Sequence, residues 1–331
     1  MNRRRFLVLG SLYPVLGFSA VNYPRVSLGH SLQFPRDHGA HPEFRQEWWY
    51  VTGWLKTAAG ADLGFQITFF RARPDIDSPN PSAFTPRQVI LAHAALADPR
   101  HGRLRHDQRA ARSALDLAGS REGTTGVWVD DWDLELKGGI YRARIRAKEF
   151  SFALEFEPRG APVLQGENGF SMKGPLPEEA SYYYSLPQLA VRGRVDGAPV
   201  SGTAWLDHEW SSQYMAAAAA GWDWCGINLE GGGSLMAFRM RGSNGEAVFS
   251  SPGTSFQVLR TWRSPRTGTL YPVSMKVNQL VLEPLMDDQE LDARASTGTV
   301  YWEGAVTAYR GRDAVGRGYL ELTGYWRPMA L

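Results

Sequence analysis

The 331-residue chain has a single cysteine, Cys225, so it cannot form an internal disulfide. It also lacks a block of basic residues, and its 36 lysines and arginines almost balance its 34 aspartates and glutamates. This balance argues against nucleic-acid binding, which needs a cationic surface to neutralise phosphates. After the N-terminus no apolar run is long enough to cross a membrane, and stretches with helical periodicity are scarce. Stability must therefore come from apolar surface packed in β structure.

Aromatic residues, in contrast, are abundant and make up 12% of the chain. They favour β-strands and an aromatic-lined interior. Alternation with a period of two dominates the sequence: Trp48 and Tyr50 share one strand face, and the segment 65–70 pairs back after a turn at 59–62. Strands at this spacing without helices between them predict antiparallel barrels or sandwiches.

Two segments repeat one pattern. Gly197, Gly202 and Trp205-Leu206-Asp207 have the same spacing as Gly311, Gly316 and Tyr319-Leu320-Glu321. The common frame is Gly, four residues, Gly, two residues, an aromatic residue, Leu and an acid. We infer a duplicated β unit, with the first copy at 40–212 and the second at 213–331. The alanines at 216–220 between the copies predict a short helical connector.

The first 19 residues have the features of an export signal. Arg3-Arg4-Arg5 precedes Phe6-Leu7 and an apolar run to Phe18, which is too short to span a bilayer. The basic pair before a Phe-Leu step resembles the twin-arginine signal, and small residues at 17 and 19 permit cleavage after Ser19. We therefore predict a periplasmic or secreted protein. An uncleaved amphipathic membrane anchor is the alternative.

The densest group of polar residues is the run 205–210. In an extended strand, Trp205, Asp207 and Glu209 project to one face and His208 to the other. A carboxyl group against aromatic walls loses solvation as an anion, so its pKa rises and it can act as a general acid. We predict Asp207, His208 and Glu209 as catalytic residues. The alternative is a buried Asp207 that accepts backbone hydrogen bonds at a strand end, with His208 as a polar rim residue.

Other motifs give no support to a metal, a cofactor or a serine nucleophile. His208-Glu209-Trp210-Ser211-Ser212 lacks the second histidine of the zinc motif, and the His38/His41 and His101/His106 pairs lie in turn-rich segments. Gly169-Phe170-Ser171-Met172-Lys173 fails the serine-elbow pattern at its last position. Gly231-Gly232-Gly233 is followed by no lysine, so it predicts a turn. We expect neither a metal nor a cofactor.

Several motifs together resemble the carotenoid 1,2-hydratase/AttH-like family. They are Glu47-Trp48-Trp49-Tyr50, Ala92-His93, Tyr182-Tyr183-Tyr184-Ser185, the run 205–212, Gly221-Trp222-Asp223-Trp224 and the run 318–325. The resemblance implies an all-β fold of two consecutive antiparallel lipocalin-like β-barrels that bind a hydrophobic ligand. It also implies Asp207 as the acid, because Trp205-Leu206-Asp207 matches an aromatic-x-Asp step of the hydratases, with Trp in place of Tyr.

Three functions follow as hypotheses. The first is an exported protein that binds a long isoprenoid or acyl molecule and adds water to a carbon–carbon double bond without a cofactor. The second is a carrier without chemistry that hands its cargo to an exporter or another membrane-associated partner. The third is a pericyclase-like cyclase. For all three, the predicted ligand-binding residues are Trp48, Tyr50, His93, Tyr183, Trp205, Trp222 and Trp224.

Overall fold

The computed structural model describes residues 21–75, 85 and 87–329. This part of the chain contains 22 β-strands in two antiparallel sheets and a single 3-10 helix, Arg36–His38. The predicted export signal at 1–19 lies outside the described residues. Within them, no helix combines the length and the apolar character needed to span a bilayer. The predicted all-β class is confirmed.

The first sheet is curled into a nearly closed barrel. Its thirteen strands are β1 (Gln46–Thr57), β2 (Asp62–Ala72), β3 (Val89–Ala97), β4 (Arg105–Arg112), β5 (Ala118–Ser120), β6 (Gly126–Val129), β7 (Trp132–Lys137), β8 (Ile140–Arg146), β9 (Ser151–Glu157), β10 (Val163–Leu164), β11 (Phe170–Met172), β12 (Ala180–Val195) and β13 (Ala198–Gln213). The order is β4-β3-β2-β1-β13-β12-β9-β8-β7-β6-β5, with β10 and β11 paired to β12. The two ends of this path approach each other, because β3 and β4 contact β5 and β6.

The second sheet is a half-barrel of nine strands. They are β14 (Gly221–Leu229), β15 (Ser234–Arg241), β16 (Ala247–Ser250), β17 (Phe256–Arg263), β18 (Leu270–Val277), β19 (Leu280–Pro284), β20 (Glu290–Ala293), β21 (Thr299–Arg310) and β22 (Asp313–Leu322). The order is β16-β15-β14-β22-β21-β19-β18-β17, with β20 paired to β21. The two sheets together have the predicted lipocalin-like tandem architecture.

The structure differs from the local sequence pattern at three places. The runs 126–136 and 273–282 have the apolar pattern of single strands, but each contains a tight turn between two strands, and one residue of each turn has a positive φ, Asp130 at 53° and Asn278 at 53°. Asp and Asn tolerate this conformation better than other non-glycine residues. The alanine run 216–220 is not helical, because five residues are too few to nucleate a helix without further support.

The strands at the contact between the sheets, such as β1, β2, β13, β14 and β21, bury both of their faces, whereas β8, β9 and β17 leave a face exposed. One face fills the barrel interior with residues such as Trp49, Val51, Phe65 and Ile67 in the first sheet and Trp302, Val306 and Leu320 in the second. The other face packs against the partner sheet, through Tyr50, Trp54, Trp205, Trp224, Phe238, Met240 and Tyr319. The alternation of a strand therefore separates the barrel core from the contact between the sheets.

The strand register places the two repeated segments in equivalent positions. Asp207 on β13 pairs with Tyr50 on β1, and Glu321 on β22 pairs with Trp224 on β14. On their other side, Asp207 pairs with Ser185 and Glu321 with Glu303. The two acids of the repeat therefore occupy corresponding places in the two sheets, and both face the contact between them.

A buried ionic network joins the segment 37–41 to β1, β2 and β13. Glu47 accepts hydrogen bonds from Arg71 at 2.7 Å and from His208 and His41 at 2.8 Å, and His41 also contacts Asp37 at 3.4 Å. Burial by itself would lower the pKa of His41, but hydrogen bonds to Asp37 and Glu47 raise it to about 9. Burial would raise the pKa of Glu47, but hydrogen bonds from His208 and His41 and the charge of Arg71 hold it well below its usual range.

Glu47→Gln is expected to lower the free energy of unfolding by about 3–5 kcal/mol, because it leaves the fully buried Arg71 without a counter-charge. Glu155→Gln is the matched control, since Glu155 pairs with Arg142 and Arg192 at the surface and its loss should cost less than about 1 kcal/mol. Urea unfolding followed by tryptophan fluorescence measures both. Equal losses in the two variants would contradict a structural role for the network.

A candidate acid site between the two sheets

A cavity of about 340 Å3 lies between the facing sides of the two sheets. Aromatic and aliphatic side chains form most of its wall, including Trp48, Tyr50, Phe70, Leu91, Tyr183, Tyr214, Trp222, Trp224, Phe238, Met240 and Tyr301. The polar residues at the wall include Asp207, Glu209 and Glu321. The site is therefore an apolar space with a few convergent carboxyl groups, and it is outside the packed interior of either barrel.

Asp207 is almost completely buried at this wall and accepts three hydrogen bonds. Tyr183 donates to Oδ2 at 2.7 Å, while Ser185 at 2.5 Å and the indole of Trp205 at 2.6 Å donate to Oδ1. Trp224 of the second sheet in turn donates to the hydroxyl of Tyr183 at 3.1 Å. The carboxyl is thus fixed by its own sheet and linked through one hydroxyl to the other.

Burial raises the pKa of Asp207 to about 7, although the hydroxyls of Ser185 and Tyr183 and the indole of Trp205 act in the opposite direction by stabilising the anion. The nearby Glu209 adds a smaller rise. A carboxyl with this pKa exchanges its proton near neutral pH. It therefore has the property that general acid catalysis requires.

Glu209 lies two residues further along the same strand face, but it is ion-paired. Its Oε1 is 2.9 Å from Nζ of Lys173, and Ser181 donates a hydrogen bond to the same oxygen. The Lys173 ammonium also lies over the rings of Tyr183 and Phe238, 4.6 and 4.2 Å from their centroids. Glu209 is thus held as one half of a buried pair beside the cavity.

His208 is on the opposite face of the strand from Asp207. Inside the first barrel, it contacts Glu47 at 2.8 Å and the hydroxyl of Tyr184 at 3.1 Å, and it stacks on Trp49 with 4.7 Å between ring centroids. The structure therefore separates this predicted catalytic residue from the other two. The period-two pattern in the sequence already places it on the other face.

Six of the predicted ligand-binding residues line the cavity: Trp48, Tyr50, His93, Tyr183, Trp222 and Trp224. The seventh, Trp205, is not among the described residues of this wall, and its indole serves as a donor to Asp207 instead. His93 is buried and hydrogen-bonded to Tyr301 of the second sheet at 2.8 Å and to Ser296 at 2.8 Å. Burial lowers the pKa of His93 to about 3, so this side chain is neutral.

Sequence reasoning missed several polar residues at or near the cavity. Glu321 accepts a hydrogen bond from the indole of Trp222 at 2.8 Å. Glu303 lies beside it on β21, and Lys173 comes from the segment after β11. The sequence repeat could have identified Glu321, because it aligns this residue with Asp207. No sequence pattern could have identified Lys173, since only the tertiary fold brings it to Glu209.

Among the described residues, a group with the right atoms for a metal ion is formed by His41, Glu47 and His208, whose possible ligand atoms lie within 4.8 Å of one another. Both oxygens of Glu47 are already engaged, one by the two histidines and the other by Arg71. The raised pKa of His41 keeps a proton on the ring, and a ligating nitrogen must be free of one. We interpret the group as part of the buried ionic network.

The comparison with known proteins agrees with this architecture. The family model for AttH-like proteins matches residues 25–325. A crystal structure of a candidate AttH protein from Nitrosomonas europaea is 48% identical, with 91% of this chain and 99% of that chain covered and a TM-score of 0.85. Kievitone hydratase from Nectria haematococca is 14% identical, with 93% and 98% covered and a TM-score of 0.62. No curated protein matches the chain.

Fold and cavity define an all-β protein of two lipocalin-like sheets with an acidic, aromatic cavity between them. The family model spans most of the sequence, and the Nitrosomonas protein is similar over nearly its whole length. The chain belongs to the AttH-like family. The family resemblance inferred from the sequence motifs is confirmed.

Asp207→Asn is expected to change the pH dependence of stability. The pKa of Asp207 is about 7 in the fold against an ordinary value of 3.8, so folding favours the protonated form. This contribution is complete below about pH 4 and is lost as the pH rises through 7, by roughly 4 kcal/mol in total. The amide cannot ionise. From pH 4 to pH 8, the free energy of unfolding of the variant should therefore rise relative to that of the wild type.

The measurement is urea unfolding across this pH range, with the exposed Asp131→Asn as the control variant. The control should follow the wild type at every pH. A constant difference between Asp207→Asn and the wild type would show that the Asp207 carboxyl titrates with an ordinary pKa.

Proposed function

We propose that the protein binds an apolar, unsaturated molecule in the cavity between the sheets and adds water across a carbon–carbon double bond, with Asp207 as the general acid. The observation that carries this proposal is a buried carboxyl with a pKa near 7 at the wall of an aromatic cavity. Protonating an alkene without a cofactor needs an acidic group in a water-poor site. Asp207 has both properties.

In the proposed reaction, Asp207 transfers its proton to one alkene carbon, and positive charge develops on the other. Trp48, Trp222 and Trp224 form the aromatic wall that faces this charge. Each well-placed ring contributes about 0.5–2 kcal/mol of cation–π attraction. A water molecule then attacks the cation and loses a proton, which completes the alcohol.

The size of the cavity limits the ligand. A volume of about 340 Å3 is near the lower end of the range for drug-sized ligands, roughly 300–1,000 Å3. Trp48 and Trp222 at its wall are only half-buried, so the space is open to solvent on that side. We infer that the reacting end of an isoprenoid or acyl chain enters the cavity while the remainder extends outside.

The comparisons support the proposal at the level of family and fold. The AttH-like family model matches most of the chain, and an enzyme named as a hydratase has the same fold at low sequence identity. The acid position rests on this chain's own residues, because the carboxyl of Asp207 and its three donors are contacts of the structure itself.

A second candidate function is a carrier that binds the same ligand without reacting. The observation that favours it is the complete set of donors around Asp207, since Tyr183, Ser185 and Trp205 together with a strand position suffice for a purely structural carboxyl. In that case Asp207 connects β12, β13 and, through Tyr183, the second sheet. A carrier fits a hand-over to an exporter or another membrane-associated partner.

The test starts from the bound ligand. The wild type and Asp207→Asn are each produced in the organism that naturally makes the protein. Native mass spectrometry then measures the mass of the molecule that copurifies with each of them. The proposal predicts that the wild type adds the mass of one water to this molecule during incubation, and that Asp207→Asn binds it without turnover. Asp131→Asn is the control and should turn over normally.

The outcomes separate the three hypotheses. Turnover retained in Asp207→Asn would contradict the role of Asp207 as the general acid. If the ligand is chemically unchanged after incubation with either protein, the result favours the carrier. If the product has the same mass as the ligand but contains a new ring, the result favours a cyclase.

We also propose that the chain is exported to the periplasm or secreted. Cell fractionation of the full chain is expected to find the wild type outside the cytoplasm. The variant with Arg3, Arg4 and Arg5 replaced by Lys should stay in the cytoplasm, because the twin-arginine route requires the arginine pair. Equal export of both proteins would exclude this route.

A further inference from the structure

The wall of the cavity opposite Asp207 has a carboxyl in the equivalent position. Glu321 occupies the same place in the repeat frame as Asp207, and each pairs with an aromatic residue on the neighbouring strand, Trp224 and Tyr50. Each also accepts a hydrogen bond from an indole, that of Trp222 for Glu321 and that of Trp205 for Asp207. Glu321 is half-buried, whereas Asp207 is enclosed by its donors. A ligand in the cavity therefore reaches Glu321 more directly.

Glu303 stands directly across from Glu321 on the adjacent strand. Its side chain is 2% exposed, and its Oε1 has no hydrogen-bond partner among the described residues. Carboxylates on directly paired strand positions repel each other when both are ionised. One of the two carboxyls must therefore hold a proton.

No described cation at this wall is free to neutralise the pair. Lys173 is bound to Glu209, and Arg71 to Glu47. His93 is neutral. The other ionisable groups at the cavity wall are acids or phenols: Asp207 and Glu209 on β13, Tyr50 on β1, Tyr183 on β12, Tyr301 on β21 and Tyr214 after β13. Behind the wall, Tyr319 on β22 lies near Glu303.

Burial raises the pKa of Glu321 to about 7, and the charges of Asp207 and Glu209 add to the rise. Burial and the neighbouring Glu321 raise the pKa of Glu303 well above its usual value. Because Glu303 is the more deeply buried of the two, it keeps the proton of the pair, and Glu321 is the carboxyl that ionises. Because Asp207 and Glu321 influence each other, ionisation of one favours protonation of the other.

We propose that Glu321, with Glu303 as its proton-holding neighbour, is a second ionisable site of the cavity, which holds positive charge in the ligand opposite Asp207 and takes up a proton. The class of ligand is then an apolar molecule that carries or develops a positive charge. The capacity to hold a cation rests on the geometry alone. Its use in catalysis rests on the proposed hydration.

In that reaction every proton that is released is also taken up. Asp207 gives its proton to one alkene carbon, the oxygen of water bonds to the other carbon, and the proton released from this oxygen goes to the carboxylate of Glu321. Asp207 is then ionised and Glu321 protonated. Transfer of one proton from Glu321 to Asp207 through water restores the starting state. Glu321 thus takes the base role that neither His208 nor the ion-paired Glu209 can take from its position.

The test uses two probes of similar shape, N,N-dimethyloctylamine, which is protonated at neutral pH, and 1-octanol, which is neutral. Calorimetric titration of the full chain at pH 8 is expected to show at least tenfold tighter binding of the amine. This preference should disappear below about pH 6, as Glu321 takes up its proton. Glu321→Gln should reduce the affinity for the amine about tenfold and leave the affinity for octanol unchanged.

Glu303→Gln provides a second readout, because the neutral amide imitates the protonated carboxyl that Glu303 holds beside Glu321. The amine preference should therefore keep the pH dependence of the wild type, and a shift of one pH unit or more would show that Glu303 is not the proton-holding neighbour. The exposed Glu157→Gln is the control and should match the wild type at every pH. Circular dichroism at each pH verifies that every variant is folded.

Three results would overturn the proposal. They are equal losses of amine and octanol binding in Glu321→Gln, an amine preference that depends on Asp207 alone, and a wild type that does not distinguish the two probes. Failure of the proposed function is a different result. In that case the amine preference holds and depends on Glu321, while no alkene gains a water molecule.

Discussion

The loss of hydration by carboxyl groups between two apolar sheets is the constraint on which the site depends. An ionised carboxylate is strongly stabilised by water, and an aromatic wall cannot replace that stabilisation. Asp207, Glu303 and Glu321 therefore retain protons at a pH where a surface carboxyl has lost them. The three donors to Asp207 prevent a still larger shift, because they stabilise its anion. The balance between burial and hydrogen bonding leaves Asp207 able to exchange a proton near neutral pH.

A buried carboxyl inside the first barrel has a different electrostatic environment. There Glu47 is also fully buried, but it accepts hydrogen bonds from His208 and His41 and has Arg71 as a counter-charge, so its pKa falls instead of rising. At the cavity between the sheets, Glu209 has such a partner in Lys173, whereas Asp207 and Glu321 have no ion-pair partner among the described residues. One protein thus contains two kinds of buried acid. An acid with a counter-charge at hydrogen-bond distance stays ionised and has a structural role. An acid without such a counter-charge exchanges its proton near neutral pH.

Much of the fold could be predicted, because alternation with a period of two is a local property of the strand. The pattern separated Asp207 and Glu209 from His208, and it grouped Trp48 with Tyr50 and Trp222 with Trp224 on faces that now meet at one cavity. The same pattern does not reveal the shortest turns. Asp130 and Asn278 adopt positive φ inside runs that otherwise alternate like one strand, and two-residue turns interrupt the pattern too briefly to be seen.

By itself, the sequence determined the all-β class, the repeat that aligns Asp207 with Glu321, and the face of its strand that each aromatic residue occupies. Strand geometry explains this, since neighbouring side chains on a strand must point to opposite sides. Only the tertiary structure decided which buried acid has a partner and that the cavity lies between the sheets. Those outcomes depend on contacts between residues far apart in the chain, such as Lys173 with Glu209 and Trp224 with Tyr183, and no local pattern encodes them.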